Sequence, residues 1–165
     1  MNITLIGMPG AGKSTVGVVL SKLLNLNFTD TDLIIQQKHK KRLHVLIDEL
    51  GTEGFLNLEM QAITEYPFEN TVIATGGSVV YMEETMKYLK SISKVVYINV
   101  PLSSLKERVS NLEKRGVVAK NAKTLAEIYK ERSALYEKYA DETVYTASLT
   151  MEQSALKIAA LFENL

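Results

Sequence analysis

The chain has no cysteine, only three prolines and two histidines, and no surplus of charge of either sign. Each shortage removes a class of protein. Without cysteine there is no disulfide framework, no thiol nucleophile and no cysteine-built zinc site. His39 and His44 are too few for a histidine metal centre and read as surface residues. Lysine plus arginine equal aspartate plus glutamate at 19 each, so net charge directs the chain to neither nucleic acid nor an anionic membrane. No apolar run approaches the length of a membrane span, and no charged-then-apolar leader precedes the first strand, which predicts a cytoplasmic location. Internal repeats, low-complexity tracts and linkers rich in Pro, Gly or Ser are missing too. At 165 residues this predicts one domain over 1–165 with a substantial core. With no coiled-coil pattern, the expected state is a monomer.

What is present is concentrated near the start. Gly7-Met8-Pro9-Gly10-Ala11-Gly12-Lys13-Ser14 fits G-x-x-x-x-G-K-[ST], and it follows the apolar run Ile3 to Ile6. From Thr15 to Leu24 apolar residues recur at helical spacing. Strand, glycine-rich turn and helix are the context in which this motif cradles phosphate. Glycines let successive N–H groups point inward, and the helix N-terminus adds partial positive charge. Gly10, Ala11, Gly12, Lys13, Ser14 and Thr15 are therefore candidate ATP ligands. Lys13 is placed to reach the β- and γ-phosphates and Ser14 to ligate Mg²⁺.

Further along, Thr71–Thr75 stops at Gly76-Gly77, and Lys94–Val100 stops at Pro101; both read as buried strands. Shorter strands are expected near Asn27-Phe28 and at Glu142–Tyr145. Helical patterns fall at about 31–40, 43–49, 53–65, 82–90, 102–112, 122–139 and 151–163. The alternation predicts an α/β fold, a three-layer α/β/α sandwich around a mainly parallel five-stranded sheet. Ligands of such sheets sit beyond the carboxyl ends of the strands. Gly7 to Ser14, Asp30 to Asp32 and Gly76 to Ser78 all fall there.

Asp30 and Asp32 share one side of an extended segment, so both can face a cleft. One could support Mg²⁺ while the other receives a proton from an attacking hydroxyl. Alternatively, either caps the helix that follows, and Asp32 is well placed for it.

The order and spacing of these blocks resemble the shikimate kinase family. The likeness runs from the phosphate loop and Asp30-Thr31-Asp32 into Gly51-Thr52-Glu53-Gly54-Phe55-Leu56-Asn57-Leu58-Glu59. It continues through Thr75-Gly76-Gly77 and Arg115 to the helix from Arg132 to Ala140. The resemblance implies a phosphate-loop kinase with a substrate segment at about 30–60 and a mobile lid at about 111–124. It implies transfer of the ATP γ-phosphoryl to the 3-hydroxyl of shikimate. Asp30 would support Mg²⁺, Asp32 would orient or deprotonate the acceptor, and Gly76 and Gly77 would offer backbone donors to it. Arg115 would reach the phosphates from the lid, Arg132 would clamp the acceptor carboxylate, and Arg108 would lie near the adenine. A guanidinium's planar fork suits carboxylate and phosphate in a way lysine does not.

Three positions depart from the pattern. The family's Phe-Arg-x-x-Glu block has Leu56 in place of arginine, the glycine triplet ends in Ser78, and Arg115 precedes Gly116 rather than proline. Glu59 keeps Arg132 to pair with, and Lys40, Lys41 or Arg42 could restore the missing cation. A related polyol or hydroxy acid is the alternative acceptor, and a non-catalytic nucleotide-binding module is a more distant one.

Overall fold

The structure is a computed structural model that describes residues 1–108 and 124–162. Five strands, β1 (Ile3–Ile6), β2 (Asn27–Asp30), β3 (Thr71–Ala74), β4 (Lys94–Asn99) and β5 (Glu142–Tyr145), form one sheet in the order β2-β3-β1-β4-β5. Every pairing is parallel, with Ile3 opposite Val72 and Lys94. Among the described residues seven α-helices accompany them: α1 (Lys13–Leu23), α2 (Thr31–His39), α3 (Leu43–Glu65), α4 (Glu83–Ile92), α5 (Leu102–Arg108), α6 (Leu125–Tyr139) and α7 (Met151–Ala159).

Strand alternation divides the helices between two layers. Leu5 faces α1, where Gly17 comes so close that a β-carbon there would lie 3.3 Å from Leu5 Cδ1. Thr4, its neighbour, faces the opposite way and shares a 2.6 Å hydrogen bond with Ser93 at the end of α4. Tyr97 lies opposite Ile6 in the register, on Thr4's side, and stacks on Tyr136 of α6 at 5.1 Å. Helix α7 packs on α1. The sheet is thus covered by α1 and α7 on one face and by α4 and α6 on the other, a three-layer α/β/α arrangement.

Both faces of the central strands are apolar because both are buried; Ile3, Leu5, Ile6, Val72, Ile73, Val95 and Val96 are fully enclosed. A second, smaller core of Ile35, Leu46, Phe55, Leu56 and Ala62 holds α2 against α3. Helix starts follow local chemistry. Thr124 with Glu127 and Thr150 with Gln153 form capping boxes ahead of α6 and α7. Asp30 caps α2 by accepting from the Asp32 amide at 3.0 Å.

The two helical patterns at 43–49 and 53–65 join into one element that breaks at Gly51, whose φ of 69° and ψ of 178° are not helical. Helix α5 ends at Arg108, and the rest of the 102–112 pattern lies outside the described residues.

Candidate active site

Because all five strands are parallel, their carboxyl ends open on one rim. Residues following β1, β2 and β3 meet there around a cavity of about 410 Å³. Its walls include Pro9, Gly10, Gly12, Lys13, Ser14 and Thr15 from the phosphate loop and α1, and Asp32 from α2. Leu43, Phe55, Thr75, Gly76, Gly77, Ser78, Arg108 and Arg132 complete them. The candidates of the sequence reading are therefore brought together, with three exceptions. Ala11 is buried behind the loop, donating its amide to Met8 O at 3.1 Å. Asp30 sits beside the cavity rather than in its wall, and Arg115 lies outside the described residues.

The phosphate loop needs glycine where it turns into α1. Gly12 has φ 90°, and a β-carbon there would lie 2.6 Å from Met151 Sδ. Lys13 folds back over the loop, its ammonium donating to Gly7 O at 2.8 Å and Met8 O at 3.0 Å. Two of its three protons thus brace the loop's own carbonyls, and the third is left for an anion. Burial lowers the Lys13 ammonium to about 8, with Asp32 opposing that shift. Ser14 donates its hydroxyl to Asp30 Oδ2 at 2.5 Å. An alcohol and a carboxylate side by side at a helix N-terminus are a hard-oxygen pair, the donor type that suits Mg²⁺.

The capping alternative resolves in favour of Asp30. With Asp30 as the cap of α2, the Asp32 side chain turns into the cavity instead. Burial, and then Asp30, raise the Asp32 carboxyl to about 6, against the pull of Lys13. Gly76 admits this carboxylate: a β-carbon there would stand 2.8 Å from Asp32 Oδ1 and 2.7 Å from Glu59 Oε1. Glu59 is 1 % exposed, and burial and the nearby Asp32 raise its carboxyl to about 8.

Arg132, from α6, is 1 % exposed. Its Nε donates to the Tyr81 hydroxyl at 3.1 Å, and its guanidinium lies over the Tyr81 ring, 5.0 Å from the centroid. The expected Arg132–Glu59 pair does not form. Glu59 Oε2 instead accepts from Ser78 Oγ at 3.0 Å, while Glu59 Oε1 and Arg132 Nη2 are buried without partners. Restoration of a second cation by Lys40, Lys41 or Arg42 is also not seen. Among the described residues the cations in the wall are Lys13, Arg108 and Arg132, and Lys41 is paired with Glu49 at 2.6 Å. Leu56 is absorbed by the second core at 2 % exposure and does not reach the cavity. The Ser78–Glu59 contact and Tyr81 carry no motif, and nothing in the sequence singled them out as partners.

A profile of the shikimate kinase family matches residues 9–163. The chain belongs to the shikimate kinase family. Shikimate kinases of Francisella tularensis subsp. holarctica and Francisella philomiragia are 38% and 37% identical to it, each over 96% of this chain and 92% of theirs. A shikimate kinase from Acinetobacter baumannii, solved in complex with shikimate, superposes with a TM-score of 0.90 at 30% identity, covering 99% of this chain and 93% of that one. The enzyme of Bacteroides thetaiotaomicron gives 0.82 at 28% identity, with 99% and 98% covered. Members of the family are ATP-dependent phosphotransferases with an alcohol acceptor. Such chemistry calls for an anion-binding loop, a carboxylate and cations, and this cavity is lined by the phosphate loop, Asp32, Lys13, Arg108 and Arg132.

Proposed function

We propose that this chain transfers the γ-phosphoryl group of ATP to the 3-hydroxyl of shikimate, with the cavity above the parallel sheet as the active site. The observation that carries the proposal is that Asp32, Lys13 and the buried Arg132 line one cavity, with Asp32 in the field of Lys13. ATP phosphates lie over residues 10–15, where loop amides and the α1 N-terminus receive them. Lys13 moves charge toward the γ-phosphoryl, and Arg108 lies on the adenine side. Ser14 and Asp30 would hold Mg²⁺, which would neutralise phosphate charge. Asp32 orients the acceptor hydroxyl and takes its proton, and the Gly76 and Gly77 backbone and Arg132 fix the rest of the acceptor. Arg115, from the segment at about 111–124, completes the charge around the transferred group. Positioning and electrostatics supply the rate, with no covalent enzyme intermediate.

The same reading has a cytoplasmic monomer that needs neither nucleic acid nor membrane as a partner; equal numbers of acidic and basic residues support it. Among the described residues no helix is long and apolar enough to cross a membrane. The acceptor is tested by ADP release from Mg·ATP with shikimate, quinate, gluconate or no acceptor. Shikimate-dependent release is expected. Equal release with any acceptor, or none with shikimate while ATP still binds, would displace shikimate.

A further inference from the structure

We propose that Tyr81 and Ser78 are positioning residues that create the acceptor's carboxylate site by holding Arg132 and Glu59 apart. A buried guanidinium and a buried carboxyl close to one another ordinarily close into an ion pair, because each is costly alone. Here they do not. Among the described residues no carboxylate comes within 4.0 Å of Arg132 as an ion pair. Yet the two groups feel each other's charge, and each keeps one buried atom without a partner, Nη2 on Arg132 and Oε1 on Glu59.

The device that separates them is one turn. Ser78 precedes the 3₁₀ turn Val79–Tyr81 and is three residues from Tyr81, a spacing that brings side chains of such a turn to the same side. Ser78 holds the carboxyl at 3.0 Å, and Tyr81 holds the guanidinium through Nε at 3.1 Å and through its ring face. The turn is itself fixed, since Tyr81 N donates to Ser78 O at 2.9 Å and Val79 and Val80 are buried in the main core. Tyr81 occupies the Nε edge and one face of Arg132 with neutral atoms. The guanidinium also lies against the bare backbone of Gly77, where a β-carbon would come within 2.7 Å of Nη1. Tyr136 also interacts with the Arg132 side chain, and what remains without a partner is Nη2, a donor that an incoming carboxylate would complete.

This rests on the assignment of Arg132 to the acceptor carboxylate, and the experiment separates the two. Steady-state kinetics are measured with shikimate and with its uncharged methyl ester for the parent enzyme, Tyr81→Phe, Ser78→Ala and Arg132→Gln. Tyr81→Phe and Ser78→Ala each remove one hydroxyl and are expected to raise KM for shikimate about tenfold, the scale of a hydrogen bond to a charged group. Their kcat, KM for ATP and KM for the ester should stay within about twofold of the parent. Unchanged shikimate KM in both variants, or equal increases for acid and ester, overturns the proposal. If Arg132→Gln itself fails to weaken the acid more than the ester, the assignment of Arg132 falls, and the proposal with it.

Discussion

Asp32 and Glu59, two carboxyls that both approach Gly76, show how neighbouring groups take different work from different surroundings. Asp32 lines the cavity within the field of Lys13, while Glu59 sits deeper, tied to Ser78. Asp32→Asn keeps the shape but removes the proton acceptor. Turnover is expected to fall about a hundredfold or more, the lower end of general-base contributions, with ATP affinity nearly intact. Comparing ADP release with calorimetric ATP binding checks this, and retained turnover removes Asp32 from its role. Glu59 makes a stability prediction. Its folded-state carboxyl is raised from the ordinary 4.5 to about 8, chiefly by burial. Between those values the unfolded chain gives up a proton that the folded chain keeps. The stability this group contributes is therefore full below pH 4.5 and lost as pH rises through 8. Glu59→Gln should unfold at a higher temperature than the parent at pH 8, and the difference should shrink at pH 5. A difference independent of pH would show that Glu59 titrates normally.

At the scale of elements, the break in α3 offers a further prediction. Gly51 combines φ 69° with ψ 178°, a region essentially confined to glycine, although nothing would touch a β-carbon placed there. Gly51→Ala should cost about 1–3 kcal/mol from backbone strain alone, measured by urea unfolding. No loss of stability would mean the kink relaxes into continuous helix. This break was legible in the sequence because apolar periodicity stopped at 49 and resumed at 53 around a glycine. The sheet was legible for a similar reason: its central strands are continuous apolar runs ended by Gly76-Gly77 or Pro101. The phosphate loop and the aspartate pair announced themselves by spacing. The division of labour between the aspartates did not, because capping and catalysis use the same residue type and only the backbone at Asp30 decides between them. Nor did the fate of Glu59, whose partner changes from arginine to a serine 19 residues away. Short-range patterns report periodicity and turn chemistry; a contact between α3 and the turn after β3 requires the fold first.

For the molecule as a whole, the phosphate loop links ligand binding to global stability. It begins at the carboxyl end of β1, the middle strand of the sheet, and ends in α1, which packs on α7. Met151, the first residue of α7, lies directly against Gly12. A ligand gripping the loop thus engages the central strand and two helices of one layer, all of which must be folded for the site to exist. Mg·ATP should therefore raise the unfolding temperature with the logarithm of its excess over Kd, by about 2.7 kcal/mol of stability at a hundredfold excess. Lys13→Ala should abolish most of that shift and slow transfer together, since the same ammonium braces Gly7 and Met8 and meets the phosphate. If Ser14 and Asp30 hold Mg²⁺ as proposed, chelation should reduce the shift in the parent enzyme. Differential scanning fluorimetry across ATP concentrations, with and without EDTA, reads all three. A full shift in Lys13→Ala would mean that nucleotide binds elsewhere than over residues 10–15, and the assignment of the cavity would fall with it.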